Sequence, residues 1–528
     1  MERIENNKLS YMLITISFLF LSFIGSIFIG SCILFIFKIP ITKLNFIVFP
    51  IITMVISKFI LDKDNENLGW KFFIIILVSF FALVGILALV NNFIWDTSYD
   101  SLSYHQDTVI KLYEGWNPFY QYRENINIWV MHYTKAAAIF AAALYKLTGR
   151  IESAKILTTL MPIILFMLSY GVFNLITKNK RKLSCFAAIM LACNPVILSQ
   201  IFSYYVDSLL GIYIIILIIN LFLIFFYRDL FFFKYFTLIN VAVFLINIKF
   251  TGLAYAMVIL FGFLVMNFIY NKKSYNIKLI GFLLSGFIFS VIIIGFNPYV
   301  TNTITNGHPL YPLAGKNKVD IMTSNTPEDF RYDNSFVQAT KALIGLPSLA
   351  NPKGEAPKNI LEAFKIDQYV LYYYSVTDPR VRGFGVYSLI FLPISFIGLL
   401  YLLMRCNNKK LVVSSVITLG AVAFAMVYGG DFWWARYVPY LWAIPILVAF
   451  FFSADNNKNL RRVGKGLFIL MVINCFLIGV MSVGGKVYRS NDLKKYIFSE
   501  NLKIKANVFG NSFINKAKEY KINYEIIE

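Results

Sequence analysis

Four side chains able to accept or hold a proton crowd into WDTSYDSLSYHQDTVIKLYEG (95–115): Asp96, Asp100, His105 and Asp107. A carboxylate within reach of a hydroxyl can act as a general base. Asp100 is the first choice for that role and Asp96 the second, with His105 and Asp107 orienting or facing solvent. A competing reading makes Asp96 the cap of a helix end and Asp100 the first residue of the helical pattern DSLSYHQDTVIKLYEG, which opens on a capping residue. Asp207 in FSYYVDSLLG and Lys249 in NIKFTG each stand where one apolar run meets the next. Ionisable groups at such places are functional candidates when they face a cavity. Their plain alternatives are N-capping for Asp207 and snorkelling to an interface for Lys249. In TDPRVRGFG, Arg380 and Arg382 flank a turn beside Asp378, and paired guanidinium forks suit a phosphate or pyrophosphate. Contact with lipid headgroups suits them equally. In GGDFWWARYVPYLW (429–442), Arg436 and Tyr437 follow Trp433 and Trp434, which either anchor an interface or stack on a ligand. His308 has no second ligand at useful spacing and reads as a turn or packing residue.

These residues are carried by a chain built for lipid. Its 528 residues are 58% hydrophobic and only 15% charged, against about 25% charged in an average soluble domain. Apolar runs of about 17–25 residues recur, the length that crosses a bilayer as helix. Lipid offers backbone amides no partners, and such continuous runs lack the alternation of barrel strands, so the expected fold is an all-α polytopic bundle. Thirteen spans are expected, near 10–37, 44–61, 72–94, 153–176, 183–199, 208–227, 231–247, 252–270, 279–297, 385–404, 411–428, 437–453 and 465–484. The Ala-rich stretch 136–147 is short for a crossing and is expected to lie at the surface or pack on the bundle.

The formal net charge of +21 is distributed in short links such as TKNKRK (177–182), RCNNKK (405–410) and NKNLRRVGK (457–465). That is the positive-inside pattern and not a nucleic-acid patch. It places the N-terminus in the cytoplasm, with Arg3 and Lys8 ahead of an uncleaved first span in a plasma-membrane protein. The long links 95–152 and 297–384 then lie outside, with all three histidines. The five cysteines fall in spans or at inner ends and imply no disulfide framework. The chain divides into an N-terminal hairpin (1–71), a main module (72–484) and a short polar tail (485–528) that either touches an anionic partner or is a solvated appendage.

In its order of elements, the chain resembles the GT-C superfamily of membrane glycosyltransferases, nearest in layout to the protein O-mannosyltransferase and aminoarabinose-transferase branch. An acidic motif opens the first large outer loop, a surface helix follows, and Arg436–Tyr437 with Pro439 resembles the Arg-Tyr and Pro that open a late span. The layout covers about residues 72–484, and WDTSYDSLSYH stands where the family has adjacent paired acids. The resemblance implies transfer of a sugar from a polyprenyl-phosphate donor, at the outer face, to an envelope glycan, lipid or protein acceptor. It implies an acid of this motif, Asp100 or Asp96, as base, Asp207 as a second acid, and Arg436 and Tyr437 as substrate-binding residues; Lys249, Arg380, Arg382 and His105 join them as substrate-binding candidates on their own chemistry and position. Some branches use a divalent ion and the nearest does not, so the cofactor stays open and the residues require none. A polysaccharide polymerase or ligase, needing arginine or histidine without an essential first-loop acid, is one alternative. A lipid or glycan flippase, needing mid-span charge and inverted halves, is the other.

Overall fold

The computed structural model of the protein describes residues 7–66, 68–122, 126–271, 273–347 and 360–528, which leaves Arg3 outside the described residues. Among them, eleven helices are long and apolar enough to cross a membrane: Lys8–Ile36, Lys43–Lys63, Trp70–Phe93, Glu152–Ile176, Asp207–Phe226, Phe231–Ile248, Phe250–Tyr270, Tyr275–Ile294, Ser388–Arg405, Lys409–Gly429 and Lys458–Ile497. The protein is an all-α, multi-pass membrane protein. Each of these helices coincides with one of the thirteen expected spans.

The other two expected spans are shorter pieces. The run 183–199 is broken into Arg181–Ala192 and Pro195–Gln200. Proline has no N–H to continue a helix but is preset for its first turn, and the Asn194 side chain caps the new start by accepting from the Val196 N–H. The run 437–453 is a 3-10 turn, Pro439–Trp442, leading into Ala443–Ala454. The broken pair and this late helix are joined by side chain to backbone bonds: Asn194 Nδ2 donates to the Pro439 carbonyl (2.7 Å) and Trp442 Nε1 to that of Met190 (2.8 Å). The Ala-rich helix Ala136–Thr148 is packed on the bundle, most of its residues buried.

Links at opposite ends of the helices differ. At one end the connections are short, as at 177–180, 227–230 and 455–457, and Arg405 pairs with Asp455 at 2.6 Å. The other end carries the long segments 94–151 and 295–387, together with the junctions at Asp207 and Lys249.

Two close approaches set those junctions. Only Lys249, in extended backbone (φ −154°, ψ 149°), separates the helices Phe231–Ile248 and Phe250–Tyr270. A Cβ at Gly252 would overlap the Leu245 carbonyl, so glycine permits the reversal. A Cβ at Gly211 would overlap the Pro439 ring. The bare backbone one turn inside the helix Asp207–Phe226 thus lets Pro439 pack against it, which brings Arg436 to Asp207.

The expected boundary at 485 falls inside the 40-residue helix Lys458–Ile497. Beyond it lie two short parallel strands, Leu502–Lys505 and Tyr524–Ile527, joined through the helix Gly510–Glu519. Leu493, Ile497, Leu502, Ile504 and Ala517 form a small core with Trp95. The tail is therefore a docked unit and not a solvated appendage.

The alternation of spans makes one outcome testable. In a variant lacking its five cysteines, Tyr332→Cys, at a position 99% exposed, and Asn407→Cys react with an impermeant maleimide from opposite faces of sealed vesicles. Labelling of both from one face would remove Ser388–Arg405 from the spans.

Candidate functional site

Arg436 is the centre of the site. It lies in the turn Ala435–Tyr437, and its guanidinium faces carboxylates from three distant parts of the chain. Nη1 lies 3.3 Å from Asp100 Oδ2 and 3.1 Å from Asp378 Oδ2, while Nε is 3.9 Å from Asp207 Oδ2. Three acids cannot share a buried volume unless cations hold them. Lys249 supplies a second charge, its Nζ 2.5 Å from Asp207 Oδ1 and 4.1 Å from the centre of the Tyr437 ring. Arg380 supplies a third, 4.0 Å from Asp378. Three carboxylates and three cations balance.

Aromatic rings wall this charge cluster. The guanidinium groups of Arg436 and Arg380 lie 4.3 and 4.6 Å from the centre of Trp434, a favourable cation–π distance. Trp434 Nε1 donates to Asp378 Oδ1 at 3.0 Å. Trp433 and Trp434 are buried and stack on each other, so neither is an interface anchor. Tyr437 closes one side, with Arg436 Nη2 3.4 Å from its hydroxyl.

The carboxylates differ in what they have left to offer. Asp207 has both oxygens engaged, Oδ1 by Lys249 and Oδ2 by Gln200 Nε2 (3.3 Å) and Arg436. Asp378 has one oxygen on Trp434 and the other on Arg436. Asp100 meets Arg436 through Oδ2 only, and among the described residues no donor faces its Oδ1. Its side chain is also the most open of the three, 21% exposed against 19% for Asp378 and 5% for Asp207.

Charge states follow from burial and neighbours. Burial pushes the Asp378 carboxyl up to about 6, against the pull of Arg436 and Arg380 and reinforced by Asp100 and Asp207. Burial opposes the charge on Arg436, but Asp378, Tyr437, Asp207 and Asp100 outweigh it and hold the guanidinium well above its ordinary range. Burial pushes His105 down to about 4 despite the field of Asp100 and Asp207, so its imidazole is neutral at pH 7. His105 stacks on Tyr104, ring centres 4.3 Å apart. It also lines a cavity of about 20 Å³ with Tyr104, Trp129, Tyr133 and Tyr204, enough for one water molecule.

Asp100 sits at the mouth of a turn of π-helix, Ser101–His105, that leads into the helix Gln106–Tyr113. Such turns are rare and cluster at functional sites. Asp96 is not in the cluster. Its carboxylate accepts from the N–H and hydroxyl of Ser98 (2.9 and 2.6 Å) and from the Tyr204 N–H (2.8 Å), tying the first long segment to the link before Asp207. With these donors engaged its carboxylate joins two links of the chain and lies apart from the Arg436 cluster.

Arg382 is a second correction. It has positive φ (54°) and is buried, and its guanidinium donates to the carbonyls of Ala363 and Ile344 (the latter at 2.5 Å). It clasps the long segment 295–387, while Arg380 alone of the pair reaches the site. Asp107 turns the other way and accepts from Asn511 Nδ2 at 3.1 Å. His308 caps a local turn, its Nδ1 accepting from the Leu310 N–H.

Asp378 and Gln200 are the residues of the cluster that sequence reasoning did not assign. The Asp-Pro-Arg at 378–380 was a usable signal, an acid fixed by proline next to an arginine. Gln200, in an apolar helix end, carried none. Among the described residues, no group of three His, Cys, Asp or Glu side chains is placed to hold a metal ion.

Asp378 generates a pH prediction. With its folded value near 6 and an unfolded value of about 3.9, the folded state binds the extra proton between these limits. Stability contributed at this residue is therefore greatest below pH 4, falls as pH rises, and is flat above about 6. The melting temperature of the wild type, measured against Asp378→Asn in detergent, falls across that window. A difference that stays constant from pH 4 to 7 would remove the burial argument.

No family model matches the chain, and no curated protein matches it in sequence.

Proposed function

We propose that the protein is a glycosyltransferase of the GT-C type, moving a sugar from a polyprenyl-phosphate carrier to a cell-envelope acceptor at the outer face of the plasma membrane. The observation that carries this reading is the half-engaged Asp100 beside a cluster of three cations at one end of the bundle. Transfer of this kind needs a base for the acceptor hydroxyl and positive charge for the phosphate that leaves. A carboxylate and cations so close that they meet one another provide both within one substrate's reach.

In this mechanism the acceptor oxygen attacks the anomeric carbon and its proton passes to Asp100 Oδ1. The bond between that carbon and the carrier phosphate breaks, and the electron pair leaves with the phosphate oxygen. Arg436, held by Asp378 and Asp207, and Arg380 receive the developing negative charge through charge-assisted hydrogen bonds. Lys249 neutralises Asp207, which in turn orients Arg436. Neutral His105 and the rings of Tyr104, Trp129 and Tyr133 line a water-sized cavity beside the turn that carries Asp100. Tyr437 covers Lys249.

The lipid positions the donor. Bringing donor and acceptor to fixed groups at a helix end contributes to rate by proximity alone.

Membranes carrying the protein are expected to consume radiolabelled polyprenyl-phosphate sugar. Asp100→Asn, expressed at the wild-type level, is expected to lose about 10²–10⁴-fold in turnover, the usual contribution of a general base. Asp207→Asn raises KM as well, because it frees Lys249 and Arg436 from their geometry. Wild-type turnover in Asp100→Asn would overturn the assignment. If deletion of the protein still altered envelope glycans, the polymerase and flippase readings would move ahead.

A further inference from the structure

The segment that carries Asp100 is held along its whole length by residues about 400 positions later in the chain. The Trp95 N–H donates to Ser490 Oγ at 2.7 Å, and the Trp95 ring packs on Phe498 and Tyr520. Tyr99 meets Phe509 edge to face, ring centres 5.3 Å apart. Inside the π-helical turn, the Leu102 carbonyl accepts from Ser512 Oγ at 2.8 Å. Just after it, Gln106 Oε1 accepts from Lys516 Nζ at 2.8 Å and Asp107 accepts from Asn511.

Lys516 is the keystone of these contacts. It is fully buried, yet it projects from a helix of the docked unit into the bundle, where its Nζ lies 2.8 Å from Glu152 Oε1. The second oxygen of Glu152 meets Lys155 and accepts from the Asp96 N–H at 3.0 Å. One ammonium thus bridges both flanks of the Asp100 turn: Gln106 on its far side and, through Glu152, Asp96 on its near side. Asp100 itself is touched by none of this. A buried lysine with these partners is costly to keep for packing alone, since an apolar residue of equal volume would serve. What an ion pair adds is a defined geometry.

We propose that the unit formed by residues 498–528 is a positioning clamp for the catalytic turn, with Lys516 and Ser512 as positioning residues that hold Asp100 at its distance from Arg436. The inference rests on the reading of Asp100 as the base, but it is decided by a measurement that does not.

Hydrogen–deuterium exchange is followed in the full-length protein in detergent for wild type, Lys516→Met and the milder pair Asn511→Ala with Ser512→Ala. The milder variant keeps the buried ion pair and guards against loss of folding in the first. The clamp predicts exchange in peptides covering 98–107 faster by about tenfold, from the loss of bonds to a charged or buried group, with the span Lys8–Ile36 unchanged. It also predicts that turnover of the carrier sugar falls while KM for it does not move. Exchange at 98–107 equal to wild type in both variants overturns the clamp. So does a rise shared equally by all spans, or a local rise that leaves turnover intact. Absence of carrier-sugar turnover in wild type would instead mark failure of the glycosyltransferase reading, and the exchange comparison would still decide the clamp.

Discussion

A single buried guanidinium organises one whole end of the molecule. Arg436 gathers Asp100, Asp207 and Asp378, which enter from the first long segment, a span start and the second long segment. Removing one partner of such a cluster leaves uncompensated buried charge, at a cost of roughly 3–5 kcal/mol. That cost makes the long segments part of the bundle. Other polar bonds also pin these segments, such as Asp96 to the Tyr204 N–H and Asn117 to the Phe35 carbonyl, but only the guanidinium brings the two segments and a span start to one point. The arginine is itself placed by packing, through Pro439 seated against the bare backbone of Gly211. The polar site thus hangs from an apolar contact one helical turn below it.

Much of the scaffold was legible in the residues because hydropathy is a local property. A run of apolar side chains long enough to cross a bilayer announces itself without its neighbours, and eleven expected spans coincide with long helices. The two that are shorter, 183–199 and 437–453, contain Pro195 and Pro439, whose effect depends on whether a cap and a partner are present to accept a break. Asn194 provides both, capping Val196 and bonding to Pro439, and only the assembled structure shows that.

The site was legible in part for a related reason. Asp100, Asp207, Lys249 and Arg436 were visible because charge at a span end is unusual in itself. Their convergence was not, since Asp100 and Arg436 are 336 residues apart. Arg380 and Arg382 look alike in sequence, and what separates them is backbone. Positive φ at Arg382 turns its side chain into the segment it belongs to. Asp96 and Asp100 differ likewise by the donors that fold around Asp96. The tail misled through composition, because a polar stretch reads the same whether it is solvated or docked. Lys516 declares itself as buried only once Glu152 stands opposite it.

The junction at Lys249 has a consequence for how such a chain can change. With one residue between two antiparallel helices and Gly252 pressed on the Leu245 carbonyl, nothing there can absorb an added or deleted residue. One insertion would rotate the following helix by about 100° and carry the ammonium off Asp207. An added or lost residue is therefore absorbed more readily at exposed loop tips than at this junction. The wall that contains Lys249 stays fixed in dimension, and a family built on this plan would diversify what it accepts by reshaping the opposite wall alone.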